Sequence, residues 1–227
     1  MNELLYNKKV MCPVCNREIE VTRVKTKACK VLSRDTDMCV HYENINVLFY
    51  DVWVCGNCGY AALQDKFEGL FTRDIKAIKD NIGISWVKRS FLGERDADKA
   101  IEAFKLALLT LKVRNAKSSE VAKVCLRIAW LYRFKKSPGE IKYLKFALDS
   151  YNHAYQNERF PLDKLDEITC MYIIAELFRR VGIFDEAIVW FSRIVASPEA
   201  RSKPSLIDMA RDQYQLAKDQ LALADSN

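Results

Sequence analysis

The sequence predicts an α+β protein that is mainly α, with a small β head at the N-terminus and a long helical tail. Three observations predict it. Two Cys-x-x-Cys pairs, Cys12-Pro-Val-Cys15 and Cys55-Gly-Asn-Cys58, bracket the first part of the chain. Between and around them, apolar residues recur with a period of two. Beyond Tyr60 the period becomes helical, and breakers are rare: the chain has only 7 Gly and 5 Pro, and two of those glycines sit in the second cysteine pair.

The paired cysteines predict one structural zinc ion (Zn2+) held by Cys12, Cys15, Cys55 and Cys58. Zinc prefers tetrahedral N/S ligation, and two residues between cysteines let one tight turn aim both sulfurs at one ion. Such a turn needs a residue that tolerates positive φ just after the second sulfur. Asn16 and Gly59 stand there. Four thiolates leave no open position for water or substrate. Cys29, Cys39 and His41 lie between the pairs. A ligand swap or a second partial site is conceivable there, but two complete pairs already saturate tetrahedral zinc, so these residues read as small buried or surface groups.

The head reads as β on alternation. Ile19, Val21 and Arg23 alternate with Glu20, Thr22 and Val24, in a strand leaving Cys15. Val47, Phe49, Asp51 and Trp53 alternate with Leu48, Tyr50, Val52 and Val54, in a strand arriving at Cys55. Two knuckles at strand ends clamping one ion is the layout of a zinc ribbon. A β core this small buries little apolar surface, so the metal contributes most of its stability.

Residues 61–71 read as one helix. Thr72 then reads as an N-cap, followed by Ile75, Ile78 and Ile82 at helical spacing. From about Asp96 onward nearly everything is amphipathic helix. The expected organisation is a head over 1–62, connecting helices over 63–95 and a helical domain over 96–227.

The helical part carries a degenerate repeat. Ala100, Phe104 and Ala107 have a spacing that recurs at Ala147, Tyr151, Ala154 and at Ala187, Phe191, Ile194. Ile128, Ala129 and Tyr132 precede the second triplet, as Ile174, Ala175 and Phe178 precede the third. A small residue lets paired helices approach, and an aromatic fills the gap between them. These positions resemble the tetratricopeptide repeat, best over 168–198, where Ala175, Phe178, Gly182, Phe184, Ala187 and Phe191 match. The offsets between triplets exceed the regular repeat of about 34 residues. An insertion is expected around Lys135-Lys-Ser-Pro-Gly139. A plain helical bundle with coincidental spacing is the alternative.

Composition bounds the function. Half the residues are hydrophobic and 29% are charged, which suits a soluble globular chain. No apolar stretch is long enough to span a bilayer, and the first residues lack the apolar core and cleavage site of a secretory signal, so no membrane association and a cytoplasmic location are expected. Cytosolic thiols stay reduced, which favours metal binding over disulfides. The net charge of +6 is spread along the chain, except that Arg23, Lys25, Lys27, Lys30 and Arg34 follow one another with no intervening acid. A nucleic-acid-associated ribbon would use such a stretch. A solvated strand face is the plainer reading, because no aromatic is interleaved for base stacking.

Catalytic motifs are missing from the sequence. There are two histidines, His41 and His153, and no metalloprotease helix, phosphate loop or nucleophile elbow. Asp35 and Asp37 read as a charged loop rather than a hard-cation site, and Cys125 and Cys170 as small core residues. A thiol redox centre at one Cys-x-x-Cys is the enzymatic alternative. The expected function is a non-catalytic adaptor acting by protein association. Aligning Ala129 with Ala175 places Lys123, Trp130, Arg133 and Phe134 on one groove helix. Thr169, Tyr172, Glu176, Arg179 and Arg180 take the same offsets on the next. Basic heads among aromatic surfaces suit an acidic or C-terminal peptide.

The run from Arg34 to Ala62, with Tyr50-Asp-Val-Trp-Val-Cys55-Gly-Asn-Cys58-Gly-Tyr60 at its heart, resembles the bacterial family catalogued as domain of unknown function 2225. Cys12-Pro-Val-Cys15 upstream and helices downstream extend the likeness over most of the chain. Val40 and Val47 stand where that family often has proline. The resemblance implies a zinc-ribbon-like head with a helical-repeat tail and supplies no activity.

Overall fold

A computed structural model of the chain describes residues 3–226. The head consists of three antiparallel hairpins: β1 (Leu5–Met11) with β2 (Glu18–Val24), β3 (Val31–Arg34) with β4 (Val40–Tyr42), and β5 (Val52–Val54) with β6 (Ala61–Leu63). The helices are α1 (Thr72–Asn81), α2 (Ala97–Val113), α3 (Ser118–Phe134), α4 (Gly139–Asn157), α5 (Glu167–Arg180), α6 (Phe184–Ala196) and α7 (Pro204–Asp225). None of these helices is long and apolar enough to cross a membrane.

Each cysteine pair is the turn of a hairpin. The register Met11↔Glu18 closes the first, and Val54↔Ala61 closes the second. This corrects two expectations from alternation. The strand expected over 47–54 is confined to 52–54. Residues Val47–Tyr50 form a 3-10 turn, started by Asn46, whose side-chain oxygen accepts from the Leu48 backbone N–H at 3.0 Å. An Asx side chain offers the backbone this local alternative to a strand ladder. The helix expected over 61–71 is also not formed. The knuckle folds the chain back, and Ala61 and Leu63 pair with β5 and are buried there, so tertiary pairing overrides alanine's helix propensity. Thr72 is the first helical residue of α1, and Phe71 occupies the cap.

The tail begins as expected, with Asp96 capping α2 by accepting from the Lys99 N–H at 2.8 Å. All three small–aromatic triplets are buried, at α2, α4 and α6. Consecutive helices from α2 to α7 pack on one another. The insertion expected around 135–139 is instead a short turn with Lys136 at φ 51°, and the added length lies in α4 itself. Gly139 opens α4 because the Tyr132 ring packs where its side chain would be: a Cβ there would lie 2.7 Å from the ring.

Head and tail share a core. Val52, Val54, Ala61 and Leu63 of the third hairpin pack with Ala100, Ile101 and Phe104 of α2. The Arg95 guanidinium is buried between them, donating to the carbonyls of Phe49, Val52 and Phe91. Its charge is balanced by carbonyl dipoles, and burial depresses its pKa to about 10.

Candidate metal centre

The two knuckles are built identically. Asn16 N–H donates to the Cys12 carbonyl at 2.9 Å, and Cys12 N–H to the Arg17 carbonyl at 3.0 Å. In the second knuckle, Gly59 N–H donates to the Cys55 carbonyl at 2.9 Å, and Cys55 N–H to the Tyr60 carbonyl at 2.7 Å. Asn16 has φ 53° and Gly59 φ 79°, the left-handed geometry expected of both positions. Gly59 is further constrained, since a Cβ there would meet the Trp86 ring at 2.5 Å. Trp86 Nε1 in turn donates to the Gly56 carbonyl at 2.9 Å, and Arg17 bridges to Asn57 Oδ1 at 3.0 Å. Val10, Val14, Val21, Trp53, Tyr60 and Phe67 surround the cysteines, and Ile78 of α1 and Ile82, just past its end, complete the packing.

The four sulfurs lie within 4.8 Å of one another. Cys12 and Cys58 sulfurs are 3.7 Å apart, as are those of Cys15 and Cys55. A tetrahedron with metal–sulfur bonds of about 2.3 Å has edges of about 3.8 Å, so the spacing suits four-thiolate coordination. It is far longer than the roughly 2.05 Å of a disulfide. All four cysteines are free, and both close pairs run between knuckles. The thiols are strongly coupled. Hydrogen bonding from Cys12, then Cys58, pulls Cys55 down to about 2, while sharing with Cys55 pushes Cys12 up to about 12. A bound cation would relieve this competition by replacing the shared protons. The residues present thus fit a metal ion, which would fix both knuckles and supply folding energy to the head.

The expected groove residues converge on another feature, the turn that links β3 to β4. Arg133 donates to Asp35 Oδ2 at 2.6 Å, to both oxygens of buried Asp37 at 3.0 and 2.5 Å, and to Glu140 at 2.7 Å. Trp130 Nε1 donates to Asp37 at 3.0 Å. Thr36 donates to the fully buried Glu176 at 2.5 Å and accepts from Arg180 at 3.0 Å. Arg179 pairs with Glu176, and Tyr172 is buried with its ring against Phe191. Lys123 stands apart, 3.7 Å from Asp65 and 3.6 Å from Asp163. Residues 35–37 of the same chain thus lie on Trp130, Arg133, Glu176 and Arg180. Arg133 and Arg179 are not exposed, at 16% and 10% of their side-chain surface. The turn also borders a cavity of about 600 Å³ that Lys66, Lys123, Arg127 and Tyr151 help to line.

Sequence reasoning placed Asp35 and Asp37 in a charged loop and missed their partners, roughly a hundred residues away. The buried Arg95 and the half-buried Trp86 were missed because they donate to backbone carbonyls. Cys125 and Cys170 are core residues, as expected. Cys29 is half-buried with its sulfur near the Lys25 carbonyl, and exposed His153 meets Ser118 at 3.0 Å. In the basic stretch, Lys30 pairs with Glu43, and Arg23 stacks over Tyr6 and Trp53.

Twin hairpin knuckles carrying four clustered thiols that could hold a metal ion, joined to a helical tail, define a protein of mixed β and α structure. The chain belongs to the family described as an uncharacterized protein conserved in bacteria, DUF2225, which it matches over residues 5–217. No curated protein and no solved structure matches it.

Proposed function

We propose that the protein is a zinc-stabilised, non-catalytic adaptor of the cytosol whose tetratricopeptide-like tail binds an acidic protein or peptide segment. The observation that carries this reading is the seating of the acidic 35–38 turn. Residues aligned through Ala129 and Ala175 meet the same segment: Trp130 and Arg133 from α3, and Arg180 from α5, all reach Asp37. The tail thus engages an acidic strand-turn in cis, with guanidinium pairs and an indole, the chemistry that would engage one in trans. Zinc is the favoured ion because four thiolates at tetrahedral spacing match it and leave no open position.

The test uses the full chain with a photo-cross-linking residue at Lys123, on the cavity that the 35–38 turn borders, or at Lys9, on β1. Trapping of a protein through position 123 and not through position 9 supports the adaptor. Micromolar nucleic-acid binding that falls steeply with salt and is lost when Lys25 and Lys27 become Glu would replace it by the nucleic-acid reading. A reversible disulfide between the knuckles, with turnover on a thiol substrate, would replace it by the redox reading.

A further inference from the structure

The second hairpin carries its own cluster of ligand atoms. Asp35, Cys39 and His41 each bring one donor atom to within 4.8 Å of the others. The fold accounts for this. Cys39 and His41 are two apart on or beside β4 and so share a face. The turn returns Asp35 to Cys39, with Asp35 N–H donating to the Cys39 carbonyl at 2.8 Å and Met38 N–H to the Asp35 carbonyl at 2.9 Å. Arg133 holds Asp35 Oδ2 at 2.6 Å, so Oδ1 faces His41 Nε2 at 2.9 Å. The His41 ring is braced edge-on by Phe134 at 5.4 Å.

We propose that Asp35, Cys39 and His41 form a second transition-metal site, distinct from the four-cysteine centre, that takes a divalent ion such as zinc and keeps one exchangeable position. One thiolate, one imidazole and one carboxylate make a mixed donor set that suits zinc and disfavours magnesium or calcium, which take oxygen ligands. Three protein donors leave a fourth position for water or an external ligand. Cys39 is buried, whereas the side chains of His41 and Asp35 are 33% and 27% exposed, so ion and fourth ligand can enter from solvent. Charge also favours occupancy. Asp35, Asp37, Glu140 and Glu176 face Arg133, Arg179 and Arg180, and with His41 neutral, the form in which imidazole binds a metal, one negative charge is left in a largely buried network. A dication together with an ionised Cys39 brings that network to neutrality. Arg133 then acts as the outer partner that orients the ligating carboxylate, the role carboxylates and carbonyls play behind a metal-bound histidine. This site does not depend on the adaptor reading.

The experiment is a zinc titration of the reduced, full-length protein against a chromogenic chelator, repeated with cobalt and followed by absorption. The wild type should bind two equivalents: a tight first, and a weaker second whose cobalt form adds less sulfur-to-metal charge transfer than the four-thiolate site. Cys39→Ser should remove the second step and leave the first. If Cys39→Ser fails to fold, His41→Gln, a part-exposed change that can still reach Asp35, should remove the same step with the melting temperature held. Saturation of the wild type at one equivalent, or retention of both steps in His41→Gln, would overturn the site and show an ordinary histidine–aspartate pair beside a free thiol.

Discussion

The knuckle centre and the β3–β4 turn both tie distant parts of the chain together, and they do so by opposite means. At the knuckles, two local turns of identical hydrogen bonding present like ligands to one point. At the turn, three residues of the head, Asp35, Thr36 and Asp37, are held by side chains from α3 and α5 through ion pairs and hydrogen bonds. The first arrangement has room for an ion from outside, and the second makes its ion pairs within the protein. On the proposed metal reading the knuckles would make the head conditional on metal, while the ion pairs of the turn tie the head to the tail without it.

Removing the knuckle ligands should have the largest effect. Cys55→Ser/Cys58→Ser abolishes a binding free energy that in small zinc domains is ~10–16 kcal/mol and is spent on folding. A small β core that owes most of its stability to metal, as expected from the sequence, would unfold by itself on chelation. The shared packing of β5 and β6 on α2 changes that expectation. Hydrogen exchange of the chelated protein should show loss of protection at α2 as well as in the head, with α6 and α7 retained. Full protection of α2 would mean that the two cores are energetically separate.

Arg133→Ala comes next. It strips the two-pronged partner from Asp37, which is fully buried, leaving Trp130 and a longer approach from Arg180, and should cost ~3 kcal/mol in a denaturant melt. The groove alignment in the sequence instead made this arginine a basic head open to a partner. A loss under ~0.5 kcal/mol would restore that view and free the face for a partner. Ala175→Leu tests the tail alone. Ala175 is fully buried at the helix–helix contact, and overpacking there should cost ~1–3 kcal/mol without altering bound metal.

The smallest effect is at Asp166, which caps α5 by accepting from the Thr169 N–H and pairs with Lys203. Asp166→Ala should cost ~1 kcal/mol at pH 7. Partial burial would raise this carboxyl's pKa, but Lys203 and Thr169 outweigh it and hold it below the usual value. Its contribution is therefore present above the unfolded value, about 3.9, and lost as pH falls through the folded value. The stability gap between wild type and variant should narrow below about pH 4. A gap that widens on acidification would reverse the sign of the shift.

What the sequence disclosed follows the same division. The metal ligands, Asn16 and Gly59 were legible because a knuckle is a local object: spacing of three and one left-handed residue suffice. The buried triplets were legible because helical periodicity is local too. The strand boundaries at 47–54 and 61–71 were not, since an Asx-started turn and a hairpin return overrode the alternation and the alanine content. The engagement of Arg133 and Arg180 was hidden for a different reason. Nothing in α3 or α5 announces that an acidic turn roughly 100 to 140 residues earlier lies on them. Arg95 was invisible because its partners are backbone carbonyls, which carry no residue signature.

The account stands on the four-thiolate centre, and its most direct test is the zinc content of the full chain purified anaerobically without added metal, compared with Cys55→Ser/Cys58→Ser. The account predicts that the wild type retains zinc in its tight site, close to one ion per chain after dialysis, and that the double variant loses it. Wild-type protein free of zinc, or a double variant that keeps its full complement, would contradict it.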